Sequence, residues 1–211
     1  MDINIRIAGE AGQGVQSVGG LLVGALAAQG LHVLATQSYM SRIRGGLNWF
    51  DVRVGDSELH GPREKADLLV ALTDAALRVL GGELTSHGLA IFDGEQAGGA
   101  AAIPFTAVAK ELAQSAVMAN TVAAGAVYRA LGYDLEFLSG HLRKLFAKKG
   151  DEIVEKNLRC AARGAELAEG LAGKLEAPRA GRSPRSVVSG ASAIGLGAAT
   201  AGVKLVAAYP M

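Results

Sequence analysis

The residues best suited to chemistry are three glycines at Gly9-x-x-Gly12-x-Gly14, set between an apolar run and a helical pattern. Glycines let a backbone approach a ligand closely, and the unpaired amides of a following helix start attract an anion. The spacing reverses the usual G-x-G-x-x-G order, and Ala35-Thr36-Gln37-Ser38 offers no acidic residue to hold a ribose. Nicotinamide binding is therefore disfavoured. A phosphate cradle and a plain strand-to-helix turn both remain open.

A second group is Arg42 and Arg44 beside Gly45-Gly46. Paired guanidinium groups on a glycine loop can grip a phosphate or carboxylate bidentately, and they can equally be solvated surface charges. The four histidines (His32, His60, His87, His141) have no metal-like spacing and read as structural or solvent-facing. No nucleophile elbow, Walker lysine or zinc signature occurs, so no catalytic residue and no metal ligand is expected. The single cysteine, Cys160, is too few for a disulfide framework, a zinc site or an iron–sulfur cluster, and reads as a small buried helix residue.

The elements that must carry these loops follow from periodicity. Ile3, Ile5 and Ile7 alternate along a strand that ends at Gly9; Val15, Val18, Leu22, Ala25 and Leu26 share a helix face that Gly30 closes. A second strand covers His32 to Thr36, so strand, helix and strand make a βαβ unit with a parallel core. Leu47 to Val54 alternates again, with Phe50, Val52 and Val54 on one face and Trp49, Asp51 and Arg53 on the other. Gly55-Asp56 suggests a hairpin turn back into Ser57 to His60.

Leu68 to Leu72 reads as a strand buried on both faces, with Asp74 capping a helix from Ala75 to Leu84 and a further strand over Gly88 to Phe92. Helices are expected over Phe105 to Leu112, over Thr121 to Leu131, along Leu135, Leu138, Leu142 and Leu145, and over Glu152 to Leu175. The expected fold is α/β: a Rossmann-like three-layer sandwich with a mostly parallel, mixed central sheet and an inserted hairpin. It divides into a domain over 1–175, a Pro/Arg/Gly/Ser linker over 176–189, and an apolar tail over 190–211 too short to form its own core.

Composition bounds the rest. Half of the 211 residues are hydrophobic and 19% are charged, which suits one well-packed domain with a large contact surface. A net charge of +1 and 5% aromatics provide neither the field nor the stacking platforms for nucleic acid, and no field for an anionic membrane. No apolar run reaches the ~18 residues of a membrane span, and no signal peptide is read, so a reducing, cytoplasmic setting is expected.

Three stretches together resemble one family. GEAGQGV at 9–15, SYMSRIRGGLNWFDVRV at 38–54 and ADLLVALTDAAL at 66–77 are similar, in that order, to the gamma domain of 2-oxoacid:ferredoxin oxidoreductases. The resemblance extends over roughly residues 3 to 170. Met40-Ser41 departs from a frequent Gly-Pro pair, and Ala11 from a frequent glycine. The tail, SGASAIGLGAATAGVKLVAAYPM, resembles the opening of the alpha subunit of the same enzymes, as in a truncated piece of a fused gamma–alpha chain.

The resemblance implies a component of an enzyme that oxidatively decarboxylates a 2-oxoacid to acyl-CoA and CO2, without catalytic residues of its own. Thiamine diphosphate, magnesium and iron–sulfur clusters would belong to partner domains. This domain would pack over the thiamine site and help to bind coenzyme A. Its implied partners are alpha, beta and delta-type domains, with ferredoxin reached through the complex. Gly12, Gln13 and Gly14 are expected at an anion or interface contact, and Ser38, Arg42, Arg44 and Gly45 in a loop facing the active site; Asn120, opening a helix, is a further candidate. The alternatives are a nucleotide-binding oxidoreductase domain and a purely structural interaction module.

Overall fold

The computed structural model describes residues 1–40, 46–95 and 98–209. Its elements in chain order are β1 (Asp2–Glu10), α1 (Val15–Ala28), β2 (His32–Ser38), β3 (Leu47–Gly55), β4 (Ala66–Ala71), α2 (Asp74–Leu80), β5 (Leu84–Phe92), β6 (Ala101–Ala102), α3 (Phe105–Ala113), α4 (Ala119–Ala130), α5 (Glu136–Phe146), α6 (Asp151–Leu167) and α7 (Gly190–Thr200). The strands form one mixed sheet in the order β2-β3-β1-β4-β5-β6. β4, β5 and β6 run parallel to β1, and β3 alone runs against its neighbours.

Two expectations about the sheet change here. β1 and β2 are the two strands of a crossover, but they are not neighbours: β3 lies between them and hydrogen-bonds both. Gly55-Asp56 is not a hairpin turn, and Ser57 to His60 forms no strand. The hairpin is β2–β3 instead. With β2 and β1 paired on its two sides, β3 has no free edge for a strand returning from Gly55.

Side-chain alternation divides the core between two faces. Ile3, Ile5 and Ile7, Phe50, Val52 and Val54, and Leu68 and Val70 line the face covered by α1. Burying each such side chain contributes about 1.5–3 kcal/mol. α4 packs on α1 and is enclosed by α3 and α6, which accounts for its burial nearly all round. On the opposite face Ala8, Leu47, Leu69 and Ala71 meet Ala76 and Leu80 of α2. β4 is apolar on both faces because both are covered.

That second face also holds charge. Arg6 stands directly opposite Asp51 and donates to both of its carboxylate oxygens at 2.7 and 3.0 Å, to the Glu64 carbonyl at 3.0 Å, and to Glu83. Burial works against the Arg6 charge, but hydrogen bonds and charges from Asp51 and Glu83 outweigh it and raise its pKa. Nearby, Arg53 donates to both oxygens of Asp2 and holds the Asp2 carboxyl below its usual range.

Several boundaries also differ. Thr73, not Asp74, caps α2 by accepting from the Ala76 amide at 3.1 Å; Asp74 sits in the first turn. The last body helix ends at Leu167 and tightens into a 3-10 turn over Glu169–Leu171, short of the expected Leu175. In the apolar tail, residues 204–208 are in no strand. Cys160 is fully buried on α6, and burial pushes its thiol pKa up.

Candidate functional site

Gly9 to Gly14 turn the chain from the carboxyl end of β1 into α1. Gly12 and Gly14 adopt φ of +89° and +81°, a region where a Cβ would collide with the backbone. Gln13 braces the turn: its Oε1 accepts the Glu10 amide at 2.7 Å, and its own amide donates to the Glu10 carbonyl at 3.2 Å. The expected anion-contacting side chain therefore spends its acceptor on the loop itself.

Helix α1 starts without a side-chain cap and without an acidic residue in its first turn. Its first intrahelical bond runs from the Val18 amide to the Gly14 carbonyl at 2.9 Å. The amides of Val15, Gln16 and Ser17 thus have no intrahelical acceptor and carry the positive end of the helix dipole.

Asn120, the second residue of α4, joins this loop. Its carboxamide fills the space into which any Cβ at Gly14 would project. Two of the expected site residues, distant in sequence, are thereby brought into contact. The loop also lies where the connection reverses: α1 leaves β1 over one sheet face, while α2 follows the neighbouring parallel strand β4 over the other. Open α/β sheets bind ligands in the crevice at such a point.

Three concavities surround the loop. One, about 450 Å³, runs from Gly12, Gly14 and Ser17 to Gln37, Tyr39 and Trp49. Gln16 Nε2 donates there to Tyr39 Oη at 2.5 Å, and Tyr39 in turn donates to Gln37. Arg6 lies 5.6 Å over the Trp49 ring from behind. A second, about 270 Å³, lies over the carboxyl ends of β1, β4 and β5, between Gln13, Leu72, Asp93 and Asn120. Asp93 is committed to α3, accepting from the Thr106 amide at 3.1 Å and its hydroxyl at 2.6 Å.

The third is the largest, about 750 Å³, and mostly apolar: Leu21, Val117, Met118, Leu145, Phe146 and Ile153 form its walls. Its polar lining includes Ser17, Asn120, Thr121, His141, Lys149 and Asn157. Thr121 donates to Asn157 Oδ1 at 2.7 Å, and Asn157 Nδ2 donates to the Ile153 carbonyl at 2.8 Å. His141 packs over Gly24; its burial first and the Lys144 charge second lower its pKa. Gln16 and Ser17 join this cavity to the one beside Tyr39.

Of the expected residues, Gly12, Gln13, Gly14 and Asn120 meet at one place. Ser38 ends β2 opposite Trp49; Gln37, Tyr39 and Trp49 line the cavity, and Ser38 is not among its lining residues. Arg42, Arg44 and Gly45 lie outside the described residues. Reading the sequence missed Gln16, Tyr39, Trp49 and Asn157. Tyr39 and Trp49 sit inside the family-like 38–54 stretch and could have been found there; Asn157 left no signal. Among the described residues, no group of three His, Cys, Asp or Glu could hold a metal, and no helix is long and apolar enough to cross a membrane. The arrangement can bind and orient an anionic, partly aliphatic ligand.

Comparison with known proteins gives the site its context. The family model described as "Pyruvate ferredoxin/flavodoxin oxidoreductase" matches residues 4–167. The 2-oxoglutarate synthase subunit KorC of Archaeoglobus fulgidus is 32% identical over 155 residues, covering 72% of this chain and 83% of that protein. The ketoisovalerate oxidoreductase subunit VorA of Methanothermobacter thermautotrophicus is also 32% identical, over 82% of this chain, which spans only 38% of that protein's length. Among solved structures, the 2-oxoglutarate:ferredoxin oxidoreductase from Magnetococcus marinus, with 2-oxoglutarate, coenzyme A and succinyl-CoA bound, matches 96% of this chain. Its TM-score is 0.84 at 28% identity, and this chain covers 38% of that one.

Proposed function

Because this chain belongs to the pyruvate ferredoxin/flavodoxin oxidoreductase family, as a domain of the gamma type, we propose that it helps a larger enzyme convert a 2-oxoacid to acyl-CoA and CO2 by binding coenzyme A. The observation that carries this reading is the Gly12–Gly14 turn. It presents the unpaired amides of α1 beside Asn120, with an apolar cavity of about 750 Å³ opening next to them.

Coenzyme A fits these residues by chemistry. Its diphosphate needs several aligned donors without a competing carboxylate, and the first turn of α1 contains no acidic residue. Its aliphatic amide arm needs apolar walls with occasional hydrogen-bonding groups, as Met118, Phe146 and Ile153 with Asn120 and Asn157 provide. Bound thiamine diphosphate and iron–sulfur clusters in partner domains would supply decarboxylation and electron transfer. One cysteine cannot hold a cluster in this chain. The residues here bind and position; none moves a proton or forms a bond.

The domain packs with its glycine loop toward partner domains over the thiamine site, and the apolar tail from Gly190 leads into an alpha-type domain. This setting is cytoplasmic. The test is calorimetric titration of coenzyme A into this chain and then into the assembled enzyme, with the Gly14→Ala variant and NADH as comparisons. Binding weakened by Gly14→Ala is expected. Coenzyme A binding by neither sample overturns the reading in favour of a structural module, and tight NADH binding favours a dinucleotide domain.

A further inference from the structure

The Pro/Arg/Gly/Ser segment between the body and α7 has the composition of a flexible tether, yet it is tied at several points. Tyr133 Oη donates to the Pro178 carbonyl at 2.5 Å, and Pro178 is buried. The Gly181 amide donates to the Gln29 carbonyl at 3.1 Å, and the Arg185 amide to the Ala27 carbonyl at 2.8 Å. Arg185 Nε donates to the Gly30 carbonyl at 3.0 Å.

The Ala27, Gln29 and Gly30 acceptors are the carbonyls at the end of α1. That helix closes with a Schellman turn, in which Leu31 and Gly30 amides reach back to Leu26 and Ala27 at 3.2 and 2.9 Å, with Gly30 at φ +88°. The helix has no basic residue in its own last turn, so its negative end lacks a local counter-charge. Arg185 brings one from the segment. The fit is close: a Cβ at Gly30 would lie 2.8 Å from the Ser183 carbonyl, and a Cβ at Gly181 would overlap the Gly30 carbonyl.

We propose that residues 177–188 are a clasp that caps the carboxyl end of α1 and so fixes the direction in which the chain leaves for α7. Helix α1 is then held at both ends, by Asn120 at Gly14 and by the clasp at Gly30. The exit of the apolar tail is coupled to the helix that carries the glycine loop, rather than hanging on a random coil.

The test is amide hydrogen exchange, followed by NMR on the 211-residue chain. Gly181 and Arg185 amides are expected to exchange at least about tenfold more slowly than those of Arg182 and Ser186. Gly181→Val is expected to abolish that protection and to speed tryptic cleavage after Arg182 and Arg185, with far-UV circular dichroism unchanged. Arg185→Pro removes both Arg185 donors, the amide to Ala27 and Nε to Gly30, without adding bulk at Gly30, and is expected to weaken protection at Gly181 as well. Exchange at unstructured-chain rates in the unaltered protein overturns the clasp. So does undiminished protection at Gly181 in Arg185→Pro.

Discussion

The Asn120 carboxamide rests on the α-carbon of Gly14, in the volume a side chain at position 14 would need. Two constraints thus act on one residue: a left-handed backbone at φ +81° and a neighbour that leaves no room for Cβ. Gly14→Ala is expected to cost about 1–2 kcal/mol for the backbone alone. Adding Asn120→Ala should return the steric part, so a double-mutant cycle by urea denaturation should show a coupling of about 0.5 kcal/mol or more. Strict additivity would show that the two residues do not press on each other.

The α4–α6 crossing depends on two further glycines. A Cβ at Gly125 would overlap the Ala161 carbonyl, and one at Gly164 would overlap the Val122 carbonyl. Both obstacles are backbone, so the helices must separate to admit a methyl group. Gly125→Ala and Gly164→Ala are each expected to destabilise by about 1–3 kcal/mol. Gly140 on α5 faces open space, and Gly140→Ala should raise stability by up to about 1 kcal/mol. Thermal melts of the three variants check the contrast in sign.

The pair Arg6 and Asp51 is 4% and 8% exposed, and removing Asp51 leaves the buried Arg6 charge with only the half-exposed Glu83 as counter-charge. Asp51→Ala is expected to cost about 3–5 kcal/mol. The double replacement Arg6→Met with Asp51→Leu should cost much less, because no buried charge is left unpaired and Glu83 is half exposed to solvent. Equal losses in denaturant unfolding would contradict a desolvation origin.

His141 provides a pH signature. Its pKa is lowered in the folded chain, chiefly by burial and further by Lys144, relative to 6.5 in an unfolded one. The unfolded state therefore binds the proton more readily, and stability must fall as pH drops below the unfolded value and through the folded one. Lys149 lines the same cavity, whereas the other facing groups, Gln16, Ser17, Asn120 and Asn157, are neutral. Unfolding free energies between about pH 7.5 and 5 should decline, and His141→Gln should flatten that decline. An unchanged slope in the variant would assign the dependence to other groups.

Much of this architecture is legible in the sequence because it is local. The alternation of Phe50, Val52 and Val54 against Trp49, Asp51 and Arg53 names the two faces of β3 correctly. It does not name the neighbours of that strand: Phe50 pairs with Ile7 on one side and Gln37 on the other, and period-two alternation would suit either partner alone. Residues 176–189 read as a tether for a similar reason. Composition records the absence of an apolar face, whereas the ties are backbone hydrogen bonds to carbonyls at the far end of α1.

The sequence by itself determined the Gly9–Gly14 turn, which faces are apolar and that no cluster can form on one thiol, since these depend on each residue's own sterics and solvation. Its motifs also determined the family. Only the tertiary structure decided that Asn120 closes on Gly14, that β3 parts β1 from β2, and that a polar segment caps α1. Each of these joins groups far apart along the chain, and such contacts form only when packing repays the entropy of bringing them together.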